Sequence, residues 1–145
     1  MTTQQGGGLD DNGWSVLYCN EMTMPFASNP ATSMFPESTW DTTQVASDCQ
    51  ANYSLTPQLE WALNYYGGWN VPLDFMKASN IIFSNGTLDP WQAGGVLESI
   101  NASAIALFIE QSAHHLDLRL PNAADPETLT AARATETSTI AIWID

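Results

Sequence analysis

Apolar residues fall along the chain in short runs divided by polar, Gly- and Pro-rich stretches, and their spacing sets out an alternation of strands and helices. Residues 1–13 are polar and Gly-rich, the composition of a flexible leader. "WSVLYCNEMTMPF" (14–26) mixes β-branched, aromatic and sulfur-containing residues and predicts a short strand followed by irregular chain. Prolines at 30 and 36 exclude a regular helix from 27–38, whereas "TWDTTQVASDCQANY" (39–53) reads as helical. Thr56 as cap, Pro57 at the first position, apolar Leu59, Ala62, Leu63 and Tyr66, and a glycine stop predict a helix over 57–66. "NIIF" (80–83) and "SAIALFIE" (103–110) read as buried strands. Pro90 is placed to start a helix carrying Trp91 to Leu97, and "SAHHLDLRLPN" forms the loop after the second strand. Asp125 as cap, Pro126 first and Glu127 in the first turn open a closing helix of 126–144, with Leu129, Ala132, Ile140 and Trp143 on one apolar face. Strand, helix, strand, helix is α/β patterning and favours a parallel pairing.

Composition narrows what such a chain does. With 145 residues and 44% hydrophobic content it holds about one domain's core. The net charge is −13, and Lys77, Arg119 and Arg133 are the whole basic complement. That balance repels phosphate, so no nucleic acid and no anionic membrane is expected as partner. The acids are scattered, as on a solvated surface. No stretch approaches the roughly 18 apolar residues of a membrane helix. The polar start has neither the basic nor the apolar region of a signal peptide, so a secreted parent would have its beginning elsewhere. Two cysteines, Cys19 and Cys49, allow either two buried thiols or one disulfide. Three Asn-x-Ser/Thr sequons, at Asn52, Asn85 and Asn101, point toward the secretory pathway.

The candidate chemistry lies at the two strand ends. "SNGTLDPWQAGG" (84–95) places Asp89 after the first strand, and "SAHHLDLR" (112–119) places the only histidines, His114 and His115, after the second. Functional groups of open α/β sheets gather on such loops. A carboxylate that orients a histidine is the second half of a Ser-His-Asp triad, and the chain order of α/β-hydrolases puts the acid before the histidine. Pro90 also biases Asp89 away from helical angles. Spacing alone leaves a second reading open, with Asp89 as a helix cap and the histidines as polar loop residues.

"ASNIIFSNGTLDPWQAGG", "AHHLDLR" and "NAADPETLTAAR", with "MPFASNPATSMFP" and "YYGG" upstream, resemble the carboxyl-terminal third of the lysosomal Pro-X carboxypeptidase and dipeptidyl peptidase II family, serine peptidases that cut after proline. The resemblance covers about residues 14–144. It implies the last parallel strands, triad loops and closing helix of an α/β-hydrolase fold, so that 14–145 are the carboxyl-terminal portion of a peptidase domain. It implies Asp89 as triad acid and His114 as triad histidine, with His115 as a loop or pocket-wall residue. Asp117 and Arg119 are then expected to shape the histidine loop through an ion pair or hydrogen-bond network. Trp91 and Met24 would line the apolar slot for the substrate proline, which a flat ring and an adaptable thioether suit. Cys19 and Cys49 match a family disulfide. Asn52 and Asn101 are glycosylation candidates, whereas Asn85 lies enclosed in the catalytic motif. No cofactor and no metal is implied, and the full-length parent would be lysosomal or secreted.

Two departures stand out. Leu17 occupies the place of a usual glutamine in "WSVLYCNE". More consequentially, no Gly-x-Ser-x-Gly elbow occurs in the 145 residues, so the nucleophile is absent from them. The chain alone is therefore expected to be inactive, its partners being the missing amino-terminal part of the same fold and, in the intact enzyme, a proline-containing peptide. The rival reading is a non-catalytic truncated paralogue or splice product acting as a binding fragment. Neither carboxypeptidase nor dipeptidyl peptidase activity is singled out by these residues.

Overall fold

A computed structural model describes residues 9–145, which divide into two compact units at Gly67–Gly68. The first contains three helices: α1 (Leu9–Asn20), α2 (Thr42–Tyr53) and α3 (Trp61–Tyr66). The expected leader lies outside the described residues up to position 8, and from Leu9 onward it is helix. The expected strand after Trp14 is also helix. Trp14, Leu17 and Tyr18 recur at helical spacing, and Cys19 on α1 is bonded to Cys49 on α2, so tertiary pairing overrides the β-branched and aromatic content. The Glu21 and Met22 amides both donate to the Leu17 carbonyl and close the helix.

Asp41 caps α2 by accepting from the amides of Thr43 and Gln44 at 2.8 and 3.4 Å, and Ser54 ends it in a left-handed conformation. Helix α3 starts four residues later than Thr56-Pro57 predicts. A cap of that kind contributes about 1 kcal/mol, and the aromatic cluster decides instead: Trp61 stacks on Tyr65 at 4.8 Å, with Tyr66 edge-on to both. The disulfide closes a 30-residue separation between buried cysteines. Converting both to serine is expected to cost the first unit about 3.5 kcal/mol on the chain-entropy account, read as a lowered denaturation midpoint. An unchanged midpoint would show that the α1–α2 packing suffices.

The second unit is built on two parallel strands, β1 (Ile81–Gly86) and β2 (Ala104–Ile109), in register from Ile81 opposite Ala104 to Gly86 opposite Ile109. It begins with a single helical turn, α4 (Val71–Asp74), and closes with α5 (Glu127–Ile144), which packs on β2. Ile109, Leu129 and Ala132 form its core, with Leu107 and Leu116 against them. Only the first half of the expected apolar face of α5 is covered: Trp143 is half-buried, and Ile140 is exposed.

Two expected helix starts differ here. The helix predicted from Pro90 to Leu97 is a 3₁₀ turn at Gln92–Gly94, because its last residue, Gly94, and the next, Gly95, are consecutive glycines that disfavour continuation. Asp125 does not cap α5; Pro126 holds that position without a side-chain bond, and the Asp125 carboxylate is engaged by Arg133 and by the Asn122 amide. Among the described residues no helix is long and apolar enough to cross a membrane.

Candidate active site

The loops leaving the two strands are stitched together by backbone bonds. The Thr87 amide donates to the Ile109 carbonyl at 3.0 Å and the Leu88 amide to the Ser112 carbonyl at 2.9 Å, while Thr87 Oγ1 accepts from the Gln111 amide at 3.0 Å. These bonds exist because β1 ends in glycine. A Cβ at Gly86 would stand 2.2 Å from the Ser112 carbonyl oxygen and 2.9 Å from that of Ala113, so no larger residue permits the approach.

This stitching brings Asp89 to His114. Asp89 Oδ2 lies 2.8 Å from His114 Nδ1, and Oδ1 accepts the Trp91 amide at 2.9 Å. Both carboxylate oxygens are thereby fixed. The Asp89 side chain is 8% exposed and that of His114 44%. Burial is the largest single influence on the Asp89 carboxyl and pushes it up; the bonds from His114 and the Trp91 amide, with the charge of the two histidines, outweigh it and hold the carboxyl below its usual range. A carboxylate bonded at Nδ1 keeps the proton there and leaves Nε2 as the basic nitrogen.

The sign of that shift fixes a pH dependence. The stability Asp89 lends through its pairing is present above the ordinary aspartate pKa of about 3.9 and is lost as pH falls through the depressed folded value. An NMR titration of the Asp89 carboxyl carbon is expected to give a midpoint below about 3.9. A midpoint above it would mean that burial prevails.

The other candidate residues are placed as follows. Trp91 sits beside His114 with ring centroids 6.4 Å apart, at the edge of the pair. His115 packs on His114 at 3.6 Å in the left-handed region, φ 56°, and makes no bond to Asp89. Met24 is half-buried in the irregular chain after α1, in the first unit. Asn85 donates from Nδ2 to the Val96 carbonyl at 3.2 Å. Asn101 spends its amide on the Ala78 carbonyl and on the amides of Ser103 and Ala104, while Asn52 is exposed on α2.

Asp117 is buried and accepts from Ser84 Oγ at 2.7 Å, while Arg119 is exposed. The expected Asp117–Arg119 pair is therefore replaced by a different arginine, Arg133 of α5, which reaches the Asp117 carbonyl. Among the described residues no group of His, Cys, Asp and Glu could hold a metal ion.

A parallel pair of strands delivering a buried acid and a half-exposed histidine to one point is an arrangement used by hydrolases. Residues 1–136 match the family Serine carboxypeptidase S28, and the chain belongs to that family of serine peptidases. It is 41% identical over 136 residues to the lysosomal Pro-X carboxypeptidase of Mus musculus, covering 94% of this chain and 27% of that protein. The Homo sapiens lysosomal Pro-X carboxypeptidase is 39% identical over 132 residues, 91% of this chain and 26% of that one. Prolyl carboxy peptidase like protein 5 of Caenorhabditis elegans is 34% identical over 149 aligned positions, 95% of this chain and 29% of that protein. The chain thus spans about a quarter of the length of the relatives it matches.

Proposed function

We propose that these 145 residues are the carboxyl-terminal part of an α/β-hydrolase-type, post-proline serine exopeptidase and supply its acid, Asp89, and its histidine, His114. The observation that carries this reading is the 2.8 Å contact between Asp89 Oδ2 and His114 Nδ1 at the ends of successive parallel strands. In this reading a serine from an upstream segment attacks the peptide carbonyl carbon while Nε2 of His114 takes its proton, then returns it to the leaving amine. A water repeats the sequence and releases the acyl product. Asp89 stays ionised throughout and stabilises the imidazolium.

Trp91 belongs to the slot for the proline ring, on the strength of the family resemblance and its place beside His114. The names of the mammalian relatives favour release of a residue carboxyl-terminal to proline, and a lysosomal parent. Asp89 keeps its charge in mildly acidic surroundings, which suits that compartment. Of the glycosylation candidates, Asn52 is the more accessible: it is exposed and its Nδ2 has one bond to give up, to the Asp48 carbonyl, whereas half-buried Asn101 also holds the Ser103 and Ala104 amides.

A longer chain carrying a Gly-x-Ser-Tyr-Gly segment ahead of residue 1 is expected to hydrolyse Pro-X peptides, and the 145 residues alone are not. Free carboxyl-terminal amino acids identify the carboxypeptidase; amino-terminal dipeptides would identify the dipeptidyl peptidase. No hydrolysis by the longer chain would favour the non-catalytic fragment. Leu118, Leu120, Ile142 and Ile144 are each more than 70% exposed in the second unit, so the folded 145 residues alone are also expected to bind a hydrophobic dye on these uncovered side chains. Absence of dye binding would contradict that expectation.

A further inference from the structure

We infer that Arg133 is the positioning residue of the histidine loop: its guanidinium holds the backbone just after His114 so that the imidazole stays on Asp89. Three donors of the fork are used. Nη2 donates to the Leu116 carbonyl at 2.6 Å, Nε to the Asp117 carbonyl at 2.9 Å, and Nη1 to the Asp125 carboxylate at 2.6 Å. The first two acceptors lie two and three residues beyond His114.

The loop needs an external hold because its own bonds are weak. Within it, the Leu116 amide reaches the Ala113 carbonyl at 3.5 Å, Leu118 reaches His115 at 3.2 Å and Arg119 reaches Leu116 at 3.3 Å, all beyond the usual 2.9–3.0 Å. His115 is held at φ 56°, a region that a non-glycine residue enters at some cost. On its amino-terminal side the loop is tied to the segment after β1 through Ser112, whose carbonyl accepts the Leu88 amide. Beyond His114 the ties are the two carbonyl bonds from Arg133, the Ser84–Asp117 side-chain bond and a side-chain bond between Asp117 and Glu136 of α5.

Asp125 sets the direction of the fork. Its carboxylate accepts Nη1 on the side away from the two carbonyls and also accepts the Asn122 amide, which keeps it below the ordinary carboxylate range through the bond from Arg133 first and that amide second. The fork geometry is the point. A lysine has the charge but not the planar set of donors that spans two successive carbonyls and a carboxylate.

The role in turnover rests on the proposed peptidase function; the hold on His114 does not, and the two are read separately. On the 145-residue chain, the Nδ1 proton of His114 shared with Asp89 is followed by NMR as a downfield resonance. Arg133→Met is expected to broaden or abolish it, and Asp125→Asn, which leaves both carbonyl bonds available, to retain it. A resonance unchanged in Arg133→Met overturns the inference. Should that variant fail to fold, Arg133→Lys decides: loss of the resonance is expected, and full retention overturns it. In the longer chain, Arg133→Met is expected to lower kcat about 100-fold with KM little changed, as for a catalytic group displaced by about 1 Å. An equal fall for Asp125→Asn would assign the effect to the ion pair and overturn the positioning role. Absence of hydrolysis even in the unsubstituted longer chain would sink the peptidase reading while the resonance still judged the hold.

Discussion

His114→Ala, placed in a longer chain that carries the serine elbow, is expected to lower turnover of a proline-containing peptide by on the order of 10⁶-fold. Without Nε2 nothing accepts the serine proton, and the residual rate is what substrate binding and the oxyanion donors supply. Asp89→Asn is expected to cost about 10⁴-fold, the magnitude of a wrong tautomer. The bonding of Asp89 explains why the amide is so unfavourable. Oδ1 is committed to the Trp91 amide and must remain an acceptor, so the new amide nitrogen would face His114 Nδ1. Nδ1 would then have to accept, the proton would move to Nε2, and the base would be blocked. Because the two residues act as a unit, the double variant is expected to be no slower than His114→Ala alone. Steady-state rates and a folding check by circular dichroism measure this, and proline-specific cleavage surviving His114→Ala would contradict the mechanism.

Gly86→Ala is expected to have the next largest effect, although residue 86 touches no reacting atom. The added methyl would meet the Ser112 carbonyl carbon at 2.5 Å and its oxygen at 2.2 Å. Both atoms are backbone, so relief comes only by moving the chain that leads to His114. Overpacking of this kind costs about 1–3 kcal/mol. A shift of about 1 Å at His114 would cost about 100-fold in kcat. The expected signature is a lowered melting midpoint together with loss of the downfield His114 resonance. A variant with wild-type melting and an intact resonance would show that the approach at Gly86 is not what sets the pair.

The parallel strands were legible in the sequence because apolar runs of strand length mark them; Asp89 and the two histidines stood visibly at the strand ends, but the pairing of Asp89 with His114 was read from the family resemblance, spacing alone leaving it open. What was not legible depended on tertiary contacts. The stretch from Trp14 becomes helix, its Cys19 bonded to Cys49 on α2, and α3 waits for the Trp61–Tyr65 stack rather than starting at Pro57. Cap signals misled twice, at Thr56 and at Asp125, the second because Arg133, eight residues on, takes the carboxylate. Nothing in the sequence marked Arg133 beyond its place in the closing helix; only the fold shows that its fork reaches the carbonyls of another loop.

The central claim is that Asp89 and His114 serve a nucleophilic serine lying outside these 145 residues. It is tested most directly by labelling with a serine-reactive organophosphonate, followed by peptide mass mapping. The longer chain is expected to take up one label, on the serine of its Gly-x-Ser-Tyr-Gly segment, to lose that labelling in His114→Ala, and to show none within the 145 residues. Label on a serine among these residues, or labelling of the elbow that persists in His114→Ala, would contradict the account.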